Sequence, residues 1–415
     1  MGTETLDEVF RDEWGRLLAL LVVQFRRLDL AEDGLSEAFL SAAARWPADG
    51  MPGNPAGWLL TAARRRIIDR LRAEATAARK EPLLVVDAEL AQQAQPVTVD
   101  PDTVLADERL RLIFLCAHPV LAPEAAAALT LRLVLGVPAA EIAAVFHVSA
   151  PTMAARLTRA KRTITRSGER FAVPEGAELP PRLQTVCRVV YLAFTVGYAP
   201  ASGEEVIRVE VAGEAIRLAR MLRRSLPGRP ELDALLALML LQHSPRDARI
   251  DGVGRLVLLP AQDRTTWHQD EISEGLAVLA PMMSGQWTGI TAEYFLQALI
   301  AAEHAVAARA EDTRWDRIAA HYAELERLTG SPVVRLNRAV AVAQSEGAAA
   351  GLRVLDGLDA ALPRSHRLVA VRGALLADLG LVADARQAYL RALELCGNQL
   401  EAEHLRSRIR QLTEA

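Results

Sequence analysis

Several residue types and patterns are scarce in this chain of 415 residues, and each scarcity excludes a class of protein. Aromatic residues make up only 5% of it, which is little for a β-rich fold. The three cysteines (Cys116, Cys187 and Cys396) lie far apart and form no CxxC pair, so we expect no disulfide framework and a reducing, cytoplasmic location. There is no uncharged apolar run of about 18 residues and no basic-then-apolar leader, which predicts neither secretion nor a membrane span.

Hydrophobic residues are abundant, at 51% of the chain, and they are dominated by Ala, Leu and Val. Together with many arginines, this composition favours helix over sheet. A chain of this length exceeds one ordinary core and predicts two to four domains. We therefore expect an all-α protein of several domains.

The charge is unevenly distributed. A formal net charge of −4 at first discourages a nucleic-acid partner. However, seven basic residues lie between Arg64 and Lys80, and six lie between Arg156 and Arg170. Arg-rich helices are often only solvated faces, but two separate basic segments on an acidic chain also indicate two places that meet phosphate.

Apolar periodicity and turn-rich breaks divide the chain. Helices are predicted over residues 4–27, 31–46 and 56–75, with a Pro- and Gly-rich loop at 47–55. The resulting domains are 1–75, a flexible linker at 76–103, a second helical domain at 104–168, a helical extension at 182–300 and a repeat region at 301–415.

The repeat region shows self-similarity at a shift of about 34 residues, which is the period of tetratricopeptide (TPR) repeats. Small or apolar positions recur, and the matched residues are Ala339, Val342, Gly351, Leu355 and Leu358 with Gly373, Leu376, Ala385, Tyr389 and Ala392. A generic amphipathic hairpin gives similar matches, but the period and the small residues favour stacked hairpins of the TPR type.

Residues 139–165 have the spacing of a helix-turn-helix. Glu141 opens a short helix, Val148 and Ser149 form a turn, and a second helix begins near Pro151 with Ser149 as a candidate N-cap. Such a second helix reads DNA in the major groove. It would present Thr152, Ala155, Arg156, Arg159, Lys161 and Arg162 to DNA.

Two stretches resemble bacterial RNA polymerase sigma factors of the extracytoplasmic-function (ECF) type. Residues 31–46 followed by 54–72 are similar to sigma region 2, with Glu32-Asp33, Glu37 and Phe39, then Trp58-Leu59, the arginines 64–66 and Asp69. Residues 141–162 are similar to region 4, with Glu141-Ile142-Ala143, Val148-Ser149 and Arg156-Leu157-x-Arg159. The whole chain further resembles the subgroup with a long C-terminal extension that contains TPR repeats.

The resemblance implies that the chain directs promoter recognition and transcription initiation, with an extension that modulates this activity, and it implies roles for individual residues. The partners of the protein would be promoter DNA and core RNA polymerase, which it would contact at the β′ clamp and the β flap. The extension would bind a regulator or the chain's own sigma domains. Glu32, Asp33, Glu37 and Phe39 would bind polymerase. The −10 promoter element would be held by Asn54, Trp58, Arg64, Arg65 and Arg66, and helix 151–162 would read the −35 element. Two departures are Gly34, where Leu is usual, and Ala154-Ala155, where Lys-Ser is common.

Other clusters have simpler explanations. Cys116 near His118 is expected to be a packed thiol beside a helix-end histidine, and Trp267 to Glu271 a helix start with acidic first-turn residues. Tyr191, Phe194 and Tyr198 are expected in the core. We predict no catalytic residue, metal site or cofactor. The rival hypotheses are a scaffold with a vestigial helix-turn-helix and a hydrolase within 182–300, although that segment lacks a phosphate loop or a nucleophile motif.

Overall fold

A computed structural model describes residues 6–78, 101–146, 148–168, 171–198, 209–252, 257–397 and 399–414. Within these ranges the chain is helical, with no β-strand longer than a single bridge residue, which confirms the all-α prediction. The chain divides into two compact units, Met1–Val196 and Gly197–Ala415.

The first unit contains eight α-helices within its described residues. In chain order these are α1 (Leu6–Phe25), α2 (Leu28–Asp49), α3 (Pro55–Ala78), α4 (Pro101–Cys116), α5 (Pro123–Leu133), α6 (Ala139–Val145), α7 (Ala150–Ser167) and α8 (Leu179–Tyr198). The expected loop at 47–55 is shorter than predicted, because α2 continues through Pro47 to Asp49. The predicted linker lies mostly in residues 79–100, outside the described ranges.

Helices α1 to α3 pack around large buried side chains, among them Trp14, Leu35, Leu59 and Ile67. This packing explains the glycine at position 34. A Cβ atom at Gly34 would lie 2.7 Å from Ile67 Cγ1 and 3.1 Å from the carbonyl oxygen of Ala63. Glycine at this position therefore lets α2 approach α3 closely, which offsets its cost of about 1 kcal/mol in helix propensity.

Helices α4 to α7 pack on the α1–α3 bundle within the same unit. The two halves approach each other closely at Gly15 of α1, where a Cβ atom would lie 2.2 Å from the carbonyl oxygen of Val134, just after α5. The guanidinium carbon of Arg132 lies over the ring of Trp14, 5.3 Å from the centroid of that ring. The two halves of the unit thus share one tightly packed boundary.

The second unit contains α9 (Val209–Ser225), α10 (Pro230–His243), α11 (Gln269–Leu279), α12 (Gly289–Ala305), α13 (Trp315–Thr329), α14 (Pro332–Glu346), α15 (Ala348–Leu355), α16 (Leu358–Ala361), α17 (His366–Asp378), α18 (Val382–Leu395) and α19 (Gln399–Glu414). Helix α10 is buried on nearly all sides, as expected of a helix that is apolar all round.

Two hairpins of the second unit repeat at the predicted period. The first hairpin has its helix starts at Pro332 and Ala348, and the second has them at His366 and Val382, so both pairs of starts differ by the predicted shift. The two residues of each aligned pair are buried to the same degree. Val342 and Leu376 are both half-buried, and both members of the other four pairs are buried. Equivalent positions therefore occupy equivalent environments in the two hairpins.

Candidate nucleic-acid interface

Helices α6 and α7 form a helix-turn-helix with an exposed second helix. Ser149 caps α7, since its hydroxyl accepts a hydrogen bond from the Thr152 backbone N–H at 3.3 Å, as the sequence predicts. The inner face of α7 is apolar and buried, through Met153, Leu157, Ala160 and Ile164. The opposite face is exposed to solvent.

The predicted reading residues of α7 fall into three environments. Thr152, Ala155, Arg159 and Arg162 are exposed. Arg156 is half-buried, with its guanidinium 5.9 Å from the ring centroid of Phe146. Lys161 points away from the exposed face and bonds to Glu32. Four of the six side chains are therefore open to DNA in this arrangement, and Ala154 is exposed beside them.

A pocket of about 620 Å³ lies at the start of α3, on the surface of the first helical bundle. Its lining combines an indole, an amide and three guanidinium groups, from Trp58, Asn54, Arg45, Arg65 and Arg66, with the carboxylate of Asp69. Trp58 is half-buried and packs edge-on against Trp46, with their ring centroids 5.5 Å apart. Such a lining offers both a stacking surface and positive charge. Arg45 was missed in the sequence, because it is an isolated arginine on α2.

Three of the side chains predicted to hold the −10 element also have polar partners within the protein. Arg66 forms an ion pair with Glu37, its Nε lying 3.6 Å from Glu37 Oε2. The Asn54 side-chain oxygen accepts a hydrogen bond from the Gly57 N–H at 2.8 Å and so caps the start of α3. Arg64 donates a hydrogen bond to the Gln24 side chain at 2.8 Å, and burial lowers the pKa of its guanidinium. Arg65 and Arg66 are the exposed members of the arginine run.

The predicted polymerase-binding residues of α2 divide in a similar way. Asp33 and Glu37 lie at the surface and both bond to Arg70, at 2.6 and 2.5 Å. Phe39 is only 6% exposed and packs against Phe10 and Trp14. Beside it, Leu40 is 70% exposed at the edge of an apolar groove of about 350 Å³. Leu40 carries no sequence signal, because an isolated exposed leucine is common.

Glu32 is buried at the boundary between the two halves of the first unit. One carboxylate oxygen accepts a bond from Arg132 Nε at 2.8 Å, and the other accepts one from Lys161 Nζ at 2.8 Å. Its side chain is 7% exposed, whereas those of its two partners are 20% and 24% exposed. Both partners come from distant parts of the chain, so the sequence did not indicate this contact.

The remaining clusters mostly follow their simpler explanations. Cys116 is buried, and burial together with the charge of Glu32 raises the pKa of its thiol. His118 is buried too, and its Nδ1 accepts a bond from the Val120 N–H at 3.1 Å. Phe194 lies in the core and Tyr191 is half-buried. The side chain of Tyr198 is outside the described residues.

The segment Trp267 to Glu271 starts α11, as predicted, but it also joins a polar network that the sequence did not reveal. Glu271 bonds to His243 at 3.0 Å and to Arg246 at 2.7 Å. Burial opposes ionisation of Glu271, yet these two partners outweigh it and lower the pKa of the carboxyl. Arg246 also bonds to His268, which bonds to Asp247. The network ties the end of α10 to the start of α11.

Comparison with known proteins identifies the two halves of the first unit. The model of Sigma-70 region 2 matches residues 12–76, and that of Sigma-70, region 4 matches residues 111–164. A family of unknown function (DUF6596) matches residues 182–283. No solved structure matches the chain significantly. None of the described helices combines the length and apolar character needed to cross a bilayer.

A relative covers nearly the whole chain. The uncharacterized protein R00370 of Rhizobium meliloti (strain 1021) is 39% identical over 398 residues, which span 94% of this chain and 92% of the relative. The chain therefore belongs to the same family as this Rhizobium protein, and its Sigma-70 regions 2 and 4 make it a sigma factor, with a role in promoter recognition and transcription initiation.

Proposed function

We propose that this protein is an ECF-type sigma factor with a TPR-like extension that modulates its activity. It acts in the cytoplasm by binding core RNA polymerase and selecting promoters, and it makes or breaks no covalent bond itself. The observation that carries the proposal is the capped helix α7, whose exposed residues follow a helix-turn-helix in the part of the chain that matches Sigma-70, region 4.

In this proposal α7 reads the −35 element. Thr152 and Ala155 lie near its N-terminus, where a recognition helix meets base edges. Arg159 and Arg162 are exposed further along and supply phosphate or guanine contacts. Rotation of the Arg156 side chain away from the ring of Phe146 would bring it beside Arg159 and Arg162. Because Ala154 and Ala155 have no side-chain groups that form hydrogen bonds with bases, phosphate contacts contribute most of the affinity for DNA.

The −10 element is assigned to the pocket at the start of α3. Melted promoter DNA exposes single-stranded bases, and a base stacked on an aromatic side chain gains about 1–3 kcal/mol. Trp58 supplies the aromatic surface, and Arg65 and Arg66 supply the positive charge. Asn54 and Arg64 contribute chiefly by holding the loop and α3 in place.

The polymerase surface is assigned to the exposed side of α2. Asp33 and Glu37 present carboxylates, and Leu40 adds an apolar contact beside the groove. Phe39 supports this surface from within the core. Glu32 is bonded to Lys161 of α7, so a direct contact of Glu32 with polymerase requires the two sigma regions to separate.

The extension is proposed to contribute TPR-like hairpins. The equal offsets between helix starts and the shared burial of aligned positions support this assignment. Stacked hairpins of this kind provide surfaces for peptides or partner domains. The family of unknown function that matches residues 182–283 gives no ligand for the extension.

Run-off transcription with purified core polymerase, followed by sequencing of the start sites, tests the proposal. We expect promoter-specific transcripts that disappear without the protein. Alanine at Arg159 should cost about 1–3 kcal/mol in promoter binding if it contacts a base, or reduce the salt slope by about one if it contacts phosphate. Arg391, which is exposed and paired with Glu394 on α18, offers a control position for the loss of one charge. Absence of specific transcripts from all genomic promoters would refute the proposal.

A further inference from the structure

Three side chains of types that can bind metal ions meet where three helices of the second unit end or begin. His366 opens α17, Cys396 follows the last residue of α18, and Glu401 lies in the first turn of α19. One imidazole nitrogen, the thiol sulfur and one carboxylate oxygen lie within 4.8 Å of one another, and all three residues are half-buried. Neither a short motif nor a periodic pattern connects them in the sequence.

The spacing suits a metal ion after small adjustments. His366 Nε2 lies 2.5 Å from Glu401 Oε2. In tetrahedral zinc sites the ligand atoms lie about 2.0–2.3 Å from the metal and hence about 3.3–3.8 Å from each other. Side-chain shifts of roughly 1 Å therefore convert the cluster into three corners of a tetrahedron.

The surroundings also match a ligand set. Arg367 bonds to Glu401 Oε1 at 2.9 Å, which orients the carboxylate and leaves Oε2 toward His366. Ligating carboxylates are commonly oriented by such an outer hydrogen bond. Cys396 packs against the apolar cluster around Tyr389 and Leu405, which gives the site one dry wall.

We propose that His366, Cys396 and Glu401 form a three-ligand site for a divalent transition-metal ion, with the fourth position open to water. The mixed nitrogen, sulfur and oxygen set suits Zn²⁺ best among the common ions. A bound ion would tie α19 to the preceding hairpin, because its ligands come from both. The site is independent of the sigma function proposed above.

Cobalt provides a spectroscopic test, since Co²⁺ occupies such sites and absorbs in the near ultraviolet when a thiolate binds it. The full chain, free of tags and treated with a chelator, is titrated with Co²⁺. Cys396 is the only cysteine in Gly197–Ala415, and Cys116 and Cys187 are fully buried. The absorption band therefore reports on Cys396. We expect one Co²⁺ per chain and displacement by Zn²⁺.

The variants make the assignment specific. Cys396→Ser should abolish the band, and His366→Gln and Glu401→Gln should each weaken Co²⁺ binding at least about tenfold. Cys187→Ala is the matched control and should retain the band. Excess Zn²⁺ should raise the Tm of the parent chain but not that of Cys396→Ser. A folded parent chain, verified by circular dichroism, that gives no saturable band would overturn the proposal, and so would a band that persists in Cys396→Ser.

Discussion

Among single side chains, Glu32 connects the two sigma regions most directly. It is the one buried acid on α2, and it bonds to a cation from the end of α5 and to another from α7. Two partners on different helices make this contact sensitive to any separation of the regions. Its neighbour Asp33 bonds to Arg70, and both of these side chains are exposed.

The contrast between these two acids yields a stability prediction. Glu32→Gln should lower the free energy of unfolding by about 1–3 kcal/mol, because it leaves two partly buried cations without their shared carboxylate. Asp33→Asn is the matched control, with an expected loss below about 1 kcal/mol, since exposed ion pairs contribute little. Urea-induced unfolding measures both. Equal losses for the two variants would show that Glu32 does not hold the regions together.

His304 gives a prediction for pH dependence. Burial, with a smaller contribution from the charge of Arg264, lowers the pKa of its imidazole to about 4. The unfolded chain binds this proton near the ordinary pKa of about 6.5. The stability associated with neutral His304 is thus fully present above pH 6.5 and is lost as the pH falls toward 4.

Chemical denaturation at two pH values measures this effect. Between pH 7 and pH 5 the parent chain should lose about 1–2 kcal/mol more of its unfolding free energy than His304→Gln does. Other titrating groups affect both proteins alike, so the difference isolates His304. An identical pH dependence in the two proteins would contradict the assignment.

At the level of helices, the packing of α1 against the chain that follows α5 depends on Gly15. Alanine normally stabilises a helix interior by about 1 kcal/mol relative to glycine. At Gly15, however, the added Cβ atom would lie 2.2 Å from the Val134 carbonyl oxygen. We expect Gly15→Ala to destabilise the chain although alanine has the better helix propensity. The backbone at Val134 would have to shift away from the added Cβ atom, and that shift would disturb the packing around it.

Gly213 is the matched control for this prediction. It also lies within a helix, α9, but a Cβ atom there would meet no other atom within 4 Å. Gly213→Ala should therefore raise the thermal midpoint slightly, while Gly15→Ala should lower it. A rise for both variants would mean that α1 and Val134 are not in close contact in solution.

For the whole molecule, the question is whether the repeat hairpins take part in transcription. A truncation after Arg364 removes α17 to α19, and with them Leu368 and Leu375, which pack with Leu336, Ala339, Leu355 and Leu358. It keeps intact the cluster formed by Leu296, Ile300, Ile318, Leu325 and Ala341. A truncation at Gly330 would instead remove Ala341 from that cluster. We expect the shorter chain to fold and to change the yield of specific transcripts, with purified polymerase as well as in cells. Unchanged transcription by a folded truncated protein would exclude a modulatory role for the last hairpin.

The two sigma regions were predicted from the resemblance to ECF sigma factors. Local patterns in the sequence were enough to predict the helices, the turn at Ser149 and the repeated hairpins near the end of the chain. These features depend on neighbouring residues, on apolar periodicity and on caps, all of which can be read within a few turns of chain. The exposure of Thr152 and Arg159 followed from the same periodicity. The departure at Gly34 was visible as well, although its reason was not.

The environments of individual site residues were decided only by tertiary structure. Phe39, which is predicted to bind polymerase, lies in the core, and Lys161, which is predicted to contact DNA, bonds to Glu32. The same holds for the cluster of His366, Cys396 and Glu401. Burial, ion pairing and close approach depend on which distant segments meet, and a periodic pattern specifies which face of a helix is buried without specifying the side chains that cover it.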